Sequence, residues 1–381
     1  MVSDTAFPKL TAKARLITKY LPLRQSQSAR YNGNRRWMMT LRELLGIQLP
    51  IVQAPMAGSQ DGELAAAVSE AGGLGSLPCA MLSTDAMLTE LTAIRARTDK
   101  PVNVNFFCHA PPTADARRET AWRELLSPYF KEYGIDPSAA SEGAARAPFS
   151  AAAADVLEVF KPKVVSFHFG LPSAQLIARV RSWGSKVLSS ATTVEEALWL
   201  ERRGVDAIIA QGAEGGGHRG MFLSEDLTTQ VGTLALLPQI VKAVGVPVIA
   251  AGGIADAAGV GAAMSLGAAG VQLGTAYLLC PEARASAVHR AALKSRHASH
   301  TALTNLFSGR PARGIMNRLM RDLGPINDAA PAFPLAATAL VPLRKKAESA
   351  GLGDFSPLWA GQNISGCKEI SAAALTRALV P

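Results

Sequence analysis

The chain has 381 residues, of which 48% are hydrophobic and 18% charged, a composition typical of globular proteins rather than disordered ones. A net charge of +9 would suggest nucleic-acid binding. However, residues 1–39 hold eight of the 39 basic residues and one of the 30 acidic ones, which leaves 31 basic against 29 acidic residues in the remainder. A nearly neutral body argues against a nucleic-acid groove.

Residues 1–39 are predicted to be a basic extension without a fold of its own. They lack the apolar core of about 7–15 residues that a secretory signal needs. A transit peptide, or a start at Met38 or Met39, would also fit this composition.

Short apolar segments alternate with helical ones from residue 50 onward, as in βα units with a parallel sheet. Strands are predicted over residues 50–56, 73–78, 101–107, 163–169, 186–191, 207–211, 246–252 and 269–277. Helices are predicted over residues 62–71, 84–97, 114–133, 173–183, 194–203, 234–244 and 257–266. Eight strands with helices between them in roughly 230 residues predict a (β/α)8 TIM barrel. An open doubly wound sheet is the alternative, but the chain lacks GxGxxG after the first strand.

The barrel is expected to occupy residues 40–280. Residues 281–350 are too long for the eighth barrel helix alone, so we expect a helical domain appended over the barrel mouth. Residues 351–381 form a tail with a final helix over 371–379, which is expected to return to the barrel. Residues 137–154, rich in Ala, Ser and Pro, are predicted to be a surface loop feeding a short helix.

No apolar run approaches the roughly 18 residues that a membrane helix needs. The four cysteines are scattered, without the spacing of a zinc site or a disulfide framework. His297 and His300 form an HxxH pair, but no third ligand is in register. We therefore expect a soluble cytoplasmic protein with neither a metal nor a membrane partner.

Polar and glycine-rich residues collect at the predicted carboxyl ends of the strands, where barrel enzymes place their active sites. Gly253 after strand seven and the Gly274-Thr275 pair at strand eight can direct backbone N–H groups at one anion, so a phosphate site is predicted there. That phosphate could belong to FMN, a nucleotide or a sugar. The amides of Asn105 and Gln211 favour a flavin, although either could be a hydrogen-bonded core residue.

His218 lies in the glycine-rich loop 211–220 after strand six, where an imidazole can exchange a proton near neutral pH. His168, at the end of strand four, could be a second polar group at the mouth or a packed structural histidine. No GxSxG elbow is present, so an activated serine is not indicated.

Six motifs in this order resemble the nitronate monooxygenase family, formerly called 2-nitropropane dioxygenases, and are most similar to its bacterial class I branch. They cover residues 53–58, 103–107, 166–170, 211–220, 250–254 and 272–275. The resemblance extends from about Leu41 to the C-terminus and includes residues 307–310 and 355–359.

The resemblance implies an FMN-binding barrel with a helical substrate-binding domain. The reaction would be oxidative denitrification of an alkyl nitronate, of the propionate 3-nitronate type, by O2 to a carbonyl compound and nitrite. His218 and His168 would be the catalytic side chains. His218 would act as a base toward a neutral nitroalkane or as a hydrogen-bond donor to the anion. The FMN-binding residues would be Met56, Asn105, Gln211, Gly216, Gly217, Gly253, Gln272, Leu273, Gly274 and Thr275.

Two departures from the family pattern are Gly215, where alanine is common, and the first loop, residues 59–62. Two other functions stay open. One is an FMN-dependent enoyl-thioester reductase that uses NAD(P)H, and the other is a non-catalytic flavin- or phosphate-binding barrel.

Overall fold

Eight parallel strands form the central sheet of the computed structural model, which describes residues 39–136 and 146–380. They are β1 (Ile51–Gln53), β2 (Gly75–Pro78), β3 (Val102–Phe107), β4 (Val164–His168), β5 (Lys186–Ala191), β6 (Ala207–Gln211), β8 (Val248–Ala251) and β9 (Gly270–Leu273), with β7 (Gly217–His218) outside this sheet. Residues 1–38 of the predicted basic extension and residues 137–145 of the predicted loop lie outside the described residues.

The sheet closes on itself, because its two outermost strands also pair. The strand order is β1-β9-β8-β6-β5-β4-β3-β2, and a parallel bridge joins Val52 to Leu74. Across it the Gln53 N–H donates to the Leu74 carbonyl at 2.9 Å, and the Leu74 N–H donates to the Ile51 carbonyl at 2.8 Å. This closure confirms the predicted TIM barrel and rules out the open doubly wound sheet.

Helices precede or follow the barrel strands, and most of them cover the outside of the sheet. They are α1 (Leu41–Leu45), α2 (Gly62–Glu70), α3 (Thr84–Arg97), α4 (Ala116–Glu132), α5 (Ala151–Phe160), α6 (Ala174–Ser182), α7 (Val194–Arg202), α8 (Thr233–Ala243) and α9 (Ala257–Ser265). Most begin where a Ser, Thr or Asp side chain accepts a backbone N–H, as Ser83 does for α3 and Thr193 for α7. Strands covered in this way are buried on both faces, which explains the continuous apolar runs in the sequence.

A buried polar network holds the first loop inside the barrel. The Gln60 amide nitrogen donates to the Ser76 carbonyl at 2.5 Å, and its amide oxygen accepts the Met56 N–H at 2.9 Å. The Gln53 amide oxygen accepts the Ser76 N–H at 2.9 Å. Residues 59–62, which depart from the family pattern, therefore fix the backbone of Met56.

A second hydrophobic core forms where α4 packs against the region after the barrel. That region contains α10 (Ala287–Lys294), β10 (Thr301–Thr304), β11 (Ala312–Ile315), α11 (Arg318–Leu323) and α12 (Ala336–Ser349). The core includes Trp122 and Phe130 from α4, together with Leu343 and Phe355. We call residues 116–133 and 296–359 the cap.

The cap is not entirely helical, which corrects the prediction for residues 281–350. Strands β10, β11 and β7 form a three-stranded antiparallel sheet, and its central strand β11 pairs with Gly217 and His218. The second core also takes in α4 and Phe355, which lie outside residues 281–350. The last barrel strand ends at Leu273, and a 3-10 helix over Thr275–Leu279 replaces the predicted continuation to residue 277.

The C-terminal tail ends in α13 (Ala372–Ala378), which packs against α2 of the barrel. The Tyr277 hydroxyl lies 2.9 Å from the Thr376 hydroxyl, and the Glu282 carboxylate accepts the Ala372 N–H at 3.1 Å. The tail is thus tied to the segment that follows β9.

Candidate functional site

A deep cavity opens at the carboxyl ends of the barrel strands. Its empty space is about 1340 Å³, with the open solvent at its mouth included. All twelve residues singled out in the sequence line it: Met56, Asn105, His168, Gln211, Gly216, Gly217, His218, Gly253, Gln272, Leu273, Gly274 and Thr275. Residues that are far apart in the sequence therefore meet in one cavity.

One end of the cavity is built from backbone groups. Gly252 and Gly253 have φ angles of +117° and +72°, which favour glycine. Within the described residues, the N–H groups of Gly253, Gly274 and Thr275 have no protein acceptor. Free main-chain donors converging at strand ends are the usual means by which barrels hold a phosphate.

Three amide side chains line the middle of the cavity. The Gln272 amide oxygen is buried without a hydrogen-bond partner in the part of the chain that the structure describes. The Asn105 amide nitrogen donates to the Ser166 hydroxyl at 2.9 Å. Gln211 donates to the His218 carbonyl at 3.0 Å and accepts the Gly220 N–H at 2.7 Å, so this side chain also holds the loop. Because a buried polar atom is costly to leave unpaired, Gln272 indicates that a ligand completes the site.

The ring of His218 reaches the cavity from β7, on the rim where the barrel meets the cap. Gly217 precedes it with a φ of +70°, and a side chain there would point into open space. The His218 Nε2 atom lies 2.9 Å from the hydroxyl of Ser308, which is fully buried. The rings of Phe333 and Trp359 lie 5.2 and 5.6 Å from the His218 ring, centroid to centroid.

His168 has both ring nitrogens engaged by the protein. Its Nε2 lies 3.2 Å from the His218 carbonyl, which can only accept, so Nε2 carries the proton. Its Nδ1, 3.0 Å from the Ser190 hydroxyl, must then be the acceptor. His168 therefore supports the backbone of His218.

Burial keeps these histidines neutral. It lowers the pKa of His168 to about 4. Burial also lowers the pKa of His218 well below its usual value, and the positive charge of Arg146 adds to this effect. At neutral pH the His218 ring can donate one hydrogen bond and accept another, but it is a weak base.

Several lining residues were not identified from the sequence. The C-terminal tail contributes Trp359, Gly361 and Asn363 to the cavity wall. The Thr275 hydroxyl accepts the Gly361 N–H at 2.9 Å, and the Asn363 amide donates to the Gly253 carbonyl at 2.9 Å. A Cβ on Gly216 would lie 2.5 Å from the Gly361 nitrogen. The close approach of two glycines distant in sequence was not detectable without the fold.

Over residues 39–136 and 146–380, no group of three histidine, cysteine or acidic side chains could hold a metal ion. The four cysteines are free. None of the helices in the same ranges is long and apolar enough to cross a membrane.

A closed (β/α)8 barrel with free backbone donors and a histidine at the carboxyl ends of its strands has the arrangement of a barrel enzyme's active site. The model of the nitronate monooxygenase family matches residues 39–381. A nitronate monooxygenase from Pseudomonas aeruginosa is 44% identical over 339 residues, covering 88% of this chain and 97% of that protein. One from Paraburkholderia phytofirmans is 43% identical over 346 residues, covering 89% and 93%.

Solved structures agree with this assignment. Nitroalkane oxidase from Streptomyces ansochromogenes matches with a TM-score of 0.80 at 40% identity, covering 89% of this chain and 96% of that one. FabK from Thermotoga maritima matches with a TM-score of 0.67 at 27% identity, covering 90% and 94%. The chain belongs to the nitronate monooxygenase family and is an oxidoreductase. The predicted family and enzyme class are thereby confirmed.

Proposed function

We propose that this protein binds FMN in the cavity and converts alkyl nitronates, of the propionate 3-nitronate type, with O2 into a carbonyl compound and nitrite. The observation that carries the proposal is the meeting, in one cavity, of free backbone donors, the unpaired Gln272 amide and the neutral ring of His218. Family membership supports the reaction type.

FMN fits the polar groups of the cavity. Its phosphate would take the N–H groups of Gly253, Gly274 and Thr275, and Leu273 and Met56 would pack beside it. The Gln272 oxygen would accept a hydrogen bond from the cofactor, and Asn105, Gln211, Gly216 and Gly217 would border its ring system. Bound flavin supplies the one-electron chemistry that lets a nitronate react with O2, while the protein supplies positioning.

His218 acts as a hydrogen-bond donor to the nitronate and not as a base. The two roles require opposite tautomers of the His218 ring. Because Nε2 faces Ser308, the substrate can be reached only by Nδ1, which must carry a proton to donate and must lack one to act as a base. At 2.9 Å, Nε2 is a nearer acceptor for the Ser308 hydroxyl than the Arg310 carbonyl at 3.2 Å. Ser308 donation to Nε2 places the ring proton on Nδ1, free for a nitronate oxygen. A substrate that arrives deprotonated needs no base, which agrees with the lowered pKa of His218.

His168 is a positioning residue in this account. Its two ring nitrogens are occupied by Ser190 and by the His218 carbonyl. This revises the catalytic role that the resemblance implied.

The test measures nitrite release and O2 uptake by the FMN-loaded enzyme with a nitronate and with the parent nitroalkane. We expect turnover of the nitronate without a base ionisation in the kcat/KM profile above pH 6. His218→Ala should lose on the order of 10²-fold or more in kcat/KM, as when a preorganised hydrogen-bond donor is removed. A wild type that releases no nitrite from any nitronate would refute the proposal.

The alternative left open by the sequence is the reduction of an enoyl thioester by NAD(P)H, which would also use bound FMN. Purified protein mixed with NADH or NADPH in the absence of nitronate separates the two. Rapid loss of the oxidised flavin absorbance would favour the reductase. If neither a nitronate nor NAD(P)H reacts while FMN stays bound, the protein is a non-catalytic flavin-binding barrel.

A further inference from the structure

The cavity wall beside His218 contains a positively charged side chain that the family motifs do not include. Arg146 precedes a segment anchored against the ends of β2 and β3. The Phe149 N–H donates to the Phe107 carbonyl at 2.8 Å, and the Ala147 N–H donates to the Ala80 carbonyl at 3.2 Å. These contacts hold the Arg146 backbone at the carboxyl edge of the barrel, where its side chain lines the cavity.

Three other arginines near the site donate hydrogen bonds to other residues of the chain. Arg219, fully buried, donates to the Gln230 amide oxygen and to the carbonyls of Gly212 and Gln211 at 2.6–2.9 Å. Arg313 donates to the Ala213 carbonyl at 2.9 Å and the Thr301 hydroxyl at 3.3 Å. Arg310 donates to the Met221 carbonyl, and its guanidinium lies 4.1 Å from the Phe169 ring centroid. Each of these three therefore helps to hold the site together.

Arg146 differs, because its Nη1 atom is buried and has no hydrogen-bond partner in the described part of the chain. The guanidinium lies 5.9 Å from the Phe333 ring centroid, at the outer limit of roughly 6 Å for cation–π attraction. A guanidinium stays protonated in proteins, so its charge cannot be removed by titration. A buried cation with an unpaired donor is costly unless an anion completes it.

The charges along the cavity wall point to the same conclusion. Among the described lining residues, Arg146 is the only lysine or arginine, and Glu214 is the only carboxylate. Glu214 is already engaged, because its two oxygens accept the Thr233 N–H at 3.0 and 2.8 Å and one of them also accepts the Thr233 hydroxyl at 2.8 Å. The positive charge of Arg146 is thus left without a carboxylate partner in the cavity wall.

We infer that Arg146 binds the anionic nitronate through its free Nη1 and makes the site select the anion over the neutral nitroalkane. The inference rests on the proposed function, since it assigns a specificity residue to that reaction. His218 and Arg146 then both donate hydrogen bonds to the substrate, His218 as a neutral donor and Arg146 as a charged donor. Charge-assisted hydrogen bonds are about twice as strong as neutral ones.

The experiment compares the FMN-loaded wild type with Arg146→Gln and Arg146→Lys. Arg344→Gln is the matched control, because Arg344 carries a nearby positive charge outside the cavity, paired with Glu348 at 2.8 Å. For Arg146→Gln, KM for a nitronate should rise about 10- to 100-fold while kcat changes less than about threefold. The inhibition constant of the neutral nitroalkane, measured as a competitor of the nitronate, should stay within about twofold. Arg146→Lys should restore part of the loss, and Arg344→Gln should resemble the wild type.

Two binding measurements check the expected changes in KM. Nitrate, a small anion without a carbon chain, should compete with the nitronate in the wild type, and its inhibition constant should rise in Arg146→Gln. Anaerobic nitronate binding, followed by the fluorescence of tryptophans such as Trp359, should weaken by the same factor. If Arg146→Gln does not fold, Arg146→Lys and nitrate competition on the wild type still decide the question.

The outcomes separate the two proposals. Nitrite release with an unchanged KM in Arg146→Gln overturns the role of Arg146 and leaves the proposed function intact. Anion binding that depends on Arg146, in a protein that releases no nitrite, supports the anion site and refutes the proposed reaction. A wild type with no nitrate competition, or equal losses in Arg146→Gln and Arg344→Gln, also overturns the inference.

Discussion

The barrel and the cap build the two ends of one cavity by different physical means. The barrel contributes backbone donors at strand ends, such as Gly253 and Gly274, whose placement follows from strand direction and a tight turn. The cap contributes side chains that reach across from distant sequence, such as Ser308 and Phe333 against His218. The proposed cofactor end therefore depends on local chain geometry, and the proposed substrate end depends on how the two cores fit together.

Gly309→Ala should have the largest effect of these variants. It should destabilise the cap and leave the barrel intact. Gly309 has a φ of +87°, and a Cβ there would lie 2.0 Å from the Pro331 carbonyl oxygen. The backbone must move, so we expect the cap to lose about 3 kcal/mol or more of stability. Nitronate turnover should fall sharply while FMN stays bound, measured by nitrite release and flavin content. Gly351→Ala is the control, because it has a φ of +75° with nothing within 4 Å and should cost about 1 kcal/mol. Equal losses in both variants would contradict the account.

Acid should have the next largest effect, on the contact between α10 and the cap. The Nε2–H group of buried His289 donates to the Trp359 carbonyl at 3.1 Å, and burial lowers the pKa of His289 to about 4. The unfolded chain takes up the proton first, so stability is present above pH 6.5 and is lost as the pH falls toward 4. We expect up to about 3 kcal/mol from this histidine.

Urea unfolding between pH 7 and pH 4 checks this expectation. His289→Gln should flatten the pH dependence of the unfolding free energy, and His297→Gln, at an exposed histidine, should not. A His289→Gln variant with the wild-type slope would show that this histidine is not held neutral by burial.

Ser308→Ala should have a smaller effect that is confined to the substrate end. It removes the hydroxyl that lies 2.9 Å from the His218 Nε2 atom, so we expect kcat/KM to fall about tenfold with FMN content unchanged. Ser356→Ala is the matched control, since that buried hydroxyl donates to Glu348 at 2.7 Å within the cap. A comparable activity loss in Ser356→Ala would mean that cap stability, and not the His218 hydrogen bond, controls the rate.

The smallest effect is expected at the ion pair that joins α4 to α11. Arg318 donates to both Glu132 oxygens, at 2.7 and 2.6 Å, and is about a third exposed. Glu132→Gln should lower the unfolding free energy only slightly, because solvent screens the pair. High salt should reduce the difference from the wild type. A loss of several kcal/mol would show that the cap is held by charge more than by its apolar core.

The sequence alone predicted the barrel end of the cavity well. Alternation of apolar segments located the strands, and a parallel barrel brings their carboxyl ends together, so residues as distant as Met56 and Thr275 could be placed in one cavity. The family resemblance supplied the chemistry expected there. Comparison with known proteins confirmed the fold and the family.

The cap end could not be predicted in the same way. Ser308 is 90 positions from His218, and their contact depends on β11 pairing with the two-residue strand β7. Such a short strand has no periodic pattern to detect. Gln60, in a loop that departs from the family pattern, holds Met56 from inside the barrel, a role that only its burial reveals. The pairing of both His168 nitrogens depends on Ser190 and on the backbone of His218, which are distant in sequence.

The central claim is that the cavity at the strand ends holds FMN with nitronate beside His218. Anaerobic addition of an alkyl nitronate to the purified protein, followed by the flavin absorbance spectrum, tests it most directly. The account predicts a bound-flavin spectrum that loses its oxidised absorbance with nitronate, slowly or not at all in His218→Ala, and that NADH leaves unchanged. A colourless protein that takes up no FMN would contradict it.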